Sequence, residues 1–103
     1  METRWLYTTS GNFHALRKAS NNTCVIPMGC VEKHGLHLPL GADILQASEI
    51  SYLASQIETV TVFPDFTFGD VSEGSPNAHP GTITLSPESM IRLLDELCEQ
   101  IAR

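Results

Sequence analysis

Between Glu32 and Asp43 the chain carries one glutamate, two histidines and one aspartate: Glu32, His34, His37 and Asp43. Imidazole nitrogens and carboxylate oxygens form a donor set that suits zinc, manganese and iron(II) alike. Glu32 and His34 are two positions apart, so in an extended stretch their side chains lie on the same side. Gly35 and Gly41 allow sharp backbone changes, and Pro39 stiffens the return between them. Asp43 falls in the first turn of the helix expected next, where the helix dipole also favours a carboxylate. Spacing alone leaves two readings open. Lone histidines are mostly ordinary surface or core residues, and an aspartate at a helix start is mostly a cap; the other reading is a divalent-metal site.

The elements that must position these residues alternate. Ser10 or Asn12 caps a short helix over about Phe13 to Ala19, and Asn21-Asn22 marks a turn. The run 23–27 (TCVIP) reads as a buried strand, followed by a glycine-punctuated loop over 28–41. A helix over 42–57 carries Ile44, Leu45, Ala47, Ile50, Leu53, Ala54 and Ile57 at helical spacing. The run 59–63 (TVTVF), β-branched and aromatic, is a second strand closed by Pro64. A long loop covers 65–82. A last helix opens at Ser86, its cap, with Pro87 in the first helical position and Met90, Leu93, Leu94, Leu97 and Ile101 as its apolar stripe. This α-β-α-β-α order with buried strands predicts an α/β fold whose mostly parallel sheet is covered by helices. Such a sheet normally has more than two or three strands, and another strand is expected after the last helix. The 103 residues therefore read as the N-terminal portion of one larger α/β domain, or as a small domain whose sheet a partner chain completes.

Composition bounds the partners. A net charge of -6 with six scattered Lys and Arg residues argues against nucleic acid. No apolar run is long enough to span a membrane, and the N-terminus lacks a signal-peptide core. Three cysteines, Cys24, Cys30 and Cys98, form no framework or zinc-binding spacing, which fits small buried thiols in a reducing, cytoplasmic setting.

The stretch 26–39 (IPMGCVEKHGLHLP) closely resembles the signature of the creatininase (creatinine amidohydrolase) family, Pro-Val-Gly-Ser-x-Glu-Gln-His-Gly-Pro-His-Leu-Pro with an aspartate a few residues on. A second stretch, 80–85 (PGTITL), resembles that family's Phe-Pro-Gly-Thr-x-Ser-Leu segment, and Gly69 looks like its Tyr-Gly position. The resemblance runs through nearly the whole chain in the family's order. It implies a three-layer α/β/α fold and a centre of two divalent ions (Zn, Mn or Fe). By position, Glu32 matches a ligand of one ion, His34 a ligand of the other, and Asp43 the carboxylate that bridges them. His37 matches a histidine behind the ligands or beside the substrate. The implied activity is cleavage of a small cyclic or linear amide by metal-activated water. The implied assembly is a homo-oligomer. Ser72, Ser75 and His79, on the loop between Gly69 and Pro80, are candidate substrate contacts.

Three positions depart from the family pattern. Lys33 stands in place of the usual Gln, Leu36 in place of the usual Pro, and His79 where an aromatic residue usually precedes Pro-Gly-Thr. The family also draws two further ligands from an Asn-Gly-His segment expected beyond Arg103. The expectation is thus an amidohydrolase whose activity needs more than these 103 residues. The alternative is a non-catalytic α/β fragment or partner-binding module that keeps a remnant of the metal motif.

Overall fold

The two β-branched runs meet as parallel strands at the centre of the protein. The computed structural model describes residues 1–71 and 79–103. Strand β1 (Cys24–Val25) pairs with β2 (Thr61–Val62) in the register Cys24↔Thr61 and Val25↔Val62. Both are shorter than the sequence predicts because Pro27 lacks an N–H and Pro64 closes the second run. The chains nevertheless stay side by side. Phe66 N–H donates to Pro27 O and Gly29 N–H to Phe66 O, a parallel bridge between Met28 and Phe66. On its other edge β2 takes a partner that the sequence did not announce: Val62 N–H donates to Thr3 O at 2.8 Å, and Arg4 bridges to Val62 in parallel. A 3-10 turn, Trp5–Tyr7, then leads the chain away from the sheet.

Helix α1 (Ser10–Ala19) begins three residues before the expected Phe13. Its N-cap is Thr9, neither Ser10 nor Asn12. Thr9 O takes the N–H groups of Asn12 and Phe13, and no side-chain cap bond forms. The expected turn stands at Asn21 (φ 52) and Asn22 (φ 57), a left-handed pair that stops the helix. Helix α2 (Ala42–Ser55) ends two residues before the expected Ile57. Its apolar residues do not form one buried stripe. Ala42, Ile44 and Ser55 are buried, while Leu45, Ile50, Leu53 and Ile57 lie exposed. The helix is apolar on more than one side, and only the side against β2 is covered. Helix α3 (Pro87–Ile101) starts as expected: Ser86 Oγ accepts from Ser89 N–H at 3.2 Å, and Pro87 occupies the first turn. Met90, Leu94, Leu97 and Ile101 on its inner side are half-buried.

The helices divide between the two faces of the strands. Ser48 of α2 and Val62 line one side. On the other, Cys24, Ile26 and Thr61 share a cavity of about 300 Å³ with Phe13 and Arg17 of α1 and Cys98 and Ile101 of α3. Trp5 seals this second face edge-on against Phe13 and Phe63, with ring centroids 4.6 and 5.1 Å away. The fold is α/β with a parallel sheet between helices, as the element order predicted. Among the described residues, Leu16, Ala42, Ile44, Val62 and Phe66 are the buried apolar core.

Candidate metal centre

The loop after β1 leaves the sheet at its C-terminal end and returns to start α2. Several backbone contacts fix its shape. Glu32 N–H donates to Leu40 O at 3.0 Å, and Ala42 N–H to Pro39 O at 3.1 Å, so the loop closes on itself. Gly35, at φ 69, supplies the left-handed turn at its far end. At its near end Gly29 lies directly against the first turn of α2. The closed loop brings Glu32 and His34 over Asp43, the second residue of α2.

Three side chains converge. His34 Nε2 lies 3.2 Å from Asp43 Oδ2 and 4.0 Å from Glu32 Oε1. One donor atom from each residue falls within 4.8 Å of the other two. The other ring nitrogen, His34 Nδ1, lies 2.9 Å from Glu32 O. A carbonyl oxygen only accepts, so the proton of this bond sits on Nδ1. In the neutral ring the Nε2 lone pair then faces two carboxylate oxygens. Such a juxtaposition calls for a positive charge, either a proton on Nε2 or a cation between the groups. The bond to the Glu32 carbonyl, the Asp43 charge and the Glu32 charge all push the His34 pKa above its ordinary value, the carbonyl bond most strongly. A backbone carbonyl orienting one ring nitrogen while the other is offered to an ion is the usual arrangement of a ligating histidine. The donor set therefore fits a divalent cation of the zinc, manganese or iron type.

Cys30 lies beside this cluster but differs in chemistry. Burial raises its thiol pKa, and the Glu32, Asp43 and Asp70 charges raise it further. It remains a neutral thiol; the buried thiols expected from the sequence are not found, since Cys24 and Cys30 are half-buried and Cys98 is exposed. The Cys30 sulfur fills the space where a β-carbon at Gly69 would stand, so Gly69 is required there for packing.

The other candidate residues lie apart from the cluster. His37 is exposed, its ring folded back over Gly35. His79 is exposed and opens a turn in which Thr82 N–H donates to His79 O at 3.1 Å. Pro80 and Gly81 (φ 89) give this turn its type II character. Ser72 and Ser75 lie outside the described residues. Gly29, Gly81 and Thr82 fall inside the two signature stretches, but nothing in the sequence signals that they shape the loop that carries the ligands. The Pro-Gly pair was a turn signal, but what the turn grips was not readable.

Comparison with known proteins gives the family and the fold. The family profile described as creatininase, creatinine amidohydrolase, matches residues 7–103. The chain belongs to the creatininase family. It is 23% identical over 94 residues to the creatinine amidohydrolase of Pseudomonas putida, a match covering 88% of this chain and 36% of that protein. A mutant creatininase of Zn-Zn type superposes on the whole of this chain with a TM-score of 0.89 at 21% identity. A manganese creatininase does so with the same TM-score and identity. In both, the match covers 41% of the solved chain. At such identities the likeness establishes the fold, here the N-terminal part of the creatininase fold. The chain thus spans about two-fifths of the length of these relatives. No helix among the described residues is long and apolar enough to cross a membrane.

Proposed function

We propose that this chain contributes Glu32, His34 and Asp43 to the metal centre of an amidohydrolase acting on a small cyclic or linear amide. The observation that carries the reading is His34 itself, with Nδ1 held by the Glu32 carbonyl and Nε2 facing both carboxylates in a chain of the creatininase family. Glu32, His34 and Asp43 would take part in holding two divalent ions, and solved relatives of zinc and manganese type support a divalent choice. When bound, such ions acidify water and polarise an amide carbonyl.

The chain's own residues supply the setting. The closed loop presents Glu32 and His34 from one direction, and the α2 N-terminus presents Asp43 from another. Three donors do not fill the coordination of two ions, which leaves positions for further protein ligands as well as for water and substrate. Side-chain exposures of 22% to 47% leave the site open to a small molecule. His37, exposed on the ligand loop, and His79, exposed at the 79–82 turn, are proposed to meet substrate rather than metal, together with Ser72 and Ser75. The exposed Leu45, Ile50 and Leu53 of α2, with Ile57 just after it, support assembly into a homo-oligomer, and three free thiols support a reducing, cytoplasmic setting.

Elemental analysis of the dialysed protein beside its Asp43→Ala variant tests the reading. Near-stoichiometric zinc, manganese or iron in the wild type and loss in the variant is the expected result, followed by metal-dependent hydrolysis of small amides by the whole protein. Equal metal content in both would remove Asp43 from the ligand set. A whole protein that cleaves no amide at any metal loading would favour a binding module instead.

A further inference from the structure

The segment after the type II turn, 82–85, runs as a rail between the ligand loop and residues 69–71. On one side Ile83 N–H donates to Val31 O at 3.0 Å, and Lys33 N–H donates to Thr82 Oγ1 at 3.0 Å. On the other side Leu85 N–H donates to Gly69 O at 2.9 Å, and Val71 N–H donates to Thr84 Oγ1 at 3.0 Å. Two threonine hydroxyls thus stand in for backbone carbonyls. The bond to Lys33 is the informative one, because Lys33 is the residue between Glu32 and His34.

Glu32 is held from two sides without Thr82. Its own N–H is taken by Leu40 O, and the carbonyl before it, Val31 O, is taken by Ile83 N–H. His34 has less support. Its ring is tied to Glu32 O, but the backbone leading to it is anchored from outside the loop through Lys33 N–H. Gly81 sets the rail's height. At φ 89 its backbone conformation is one that glycine adopts freely, and a β-carbon there would lie 2.6 Å from Leu40 Cδ1, in the residue that anchors Glu32.

We propose that Thr82 is a positioning residue for the metal centre, its hydroxyl fixing the Lys33 peptide so that His34 Nε2 stays over Asp43. This rests on the metal reading given above and adds a residue that touches neither ion nor substrate. Removing a group that orients a ligand typically weakens metal binding by ten- to a hundredfold.

The test is Co²⁺ titration of the full chain, reading the ligand-field absorption and the dissociation constant by chelator competition, for the wild type, Thr82→Val and Thr82→Ser. Thermal midpoints are measured alongside without metal. The expected result is that Thr82→Val binds Co²⁺ about tenfold more weakly with an altered absorption band, while Thr82→Ser restores both. Should Thr82→Val not fold, Thr82→Ala serves in its place. Wild-type affinity and spectrum in Thr82→Val would overturn the positioning role and leave the metal centre standing. So would a Thr82→Ser variant as weak as Thr82→Val, since the methyl would then be what matters. A wild type that takes up no Co²⁺ would overturn the metal reading and the role of Thr82 with it.

Discussion

Gly29 and Ile44 are in backbone contact: a β-carbon on Gly29 would stand 2.5 Å from Ile44 N and 2.8 Å from the Asp43 carbonyl carbon. The obstacle is helix backbone, which cannot rotate aside. Gly29 therefore sets how closely the first turn of α2, with Asp43, approaches the start of the ligand loop. Gly29→Ala is expected to destabilise the fold by about 1–3 kcal/mol, as overpacking does, and to weaken metal uptake by moving Asp43 away from His34. Gly11, in α1, provides the contrast. A β-carbon there meets nothing nearer than Thr9 Oγ1 at 3.9 Å, so Gly11→Ala should stabilise by about 0.5–1 kcal/mol. Urea unfolding of both variants, with metal content measured in parallel, checks the pair. A Gly29→Ala protein as stable as the wild type would mean that the two segments separate without cost.

The raised pKa of His34 gives stability a pH dependence whose sign reverses with metal. With chelator present, the native state favours the imidazolium. That contribution is complete below the unfolded value of about 6.5 and fades as pH rises through the higher folded value. With a divalent ion present, Nε2 must lose its proton to bind. Metal-linked stability is then weak at low pH and grows through the same window. Thermal midpoints from about pH 5.5 to about pH 8.5, with chelator and with saturating Zn²⁺, should diverge as pH increases, and His34→Gln should bring the curves together. Curves that stay parallel in the wild type would show that His34 does not exchange a proton for the ion.

Much of this was legible in the chain. Glu32, His34, His37 and Asp43 stood out together by donor type and spacing, and the family signature separated His37 from the other three. The strand order followed from the β-branched runs 23–27 and 59–63, and the α3 start from Ser86-Pro87. What escaped has a common cause. The parallel bridge of Arg4 to Val62 and the grip of Thr82 on Lys33 join residues 58 and 49 positions apart, and neither leaves a local pattern. Gly29 looked like one more loop glycine because the helix backbone it faces lies across the fold. The buried side of α2 was misjudged for a related reason. Its apolar residues point in more than one direction, so periodicity alone could not say which side β2 would cover.

Among the described residues, Ser86 is the one α-helix N-cap whose side chain bonds back into its helix, accepting from Ser89 N–H. It also anchors the end of the 82–85 rail. Ser86→Ala should cost about 1 kcal/mol, and Ser86→Asp should keep or exceed wild-type stability because a carboxylate both caps and meets the helix dipole. Chemical denaturation reads the stability, and amide exchange at Ser89 localises it. If Ser86→Ala loses stability while Ser89 protection is unchanged, the capping bond is not the source.

The remaining prediction concerns the buried pair that ties the N-terminal segment to α2. Thr3 and Ser55 are among the most buried residues, 1% and 2% exposed, and their hydroxyl oxygens lie 2.6 Å apart. Ser55 Oγ donates to Tyr52 O, which uses its one proton, so Thr3 is the donor between the two hydroxyls. Thr3 O in turn accepts from Val62 N–H. The chain thus runs from the helix, through two hydroxyls, to the edge of β2. Thr3→Val removes the short donor and leaves buried Ser55 Oγ with only the longer bond from Gln56 Nε2, at 3.4 Å, at a cost of about 1 kcal/mol. Thr3→Ser should retain most of the stability. In a double-mutant cycle with Ser55→Ala the two losses should not add, because both substitutions break the same hydroxyl–hydroxyl bond. Additive losses would mean that the hydroxyls contribute through packing alone.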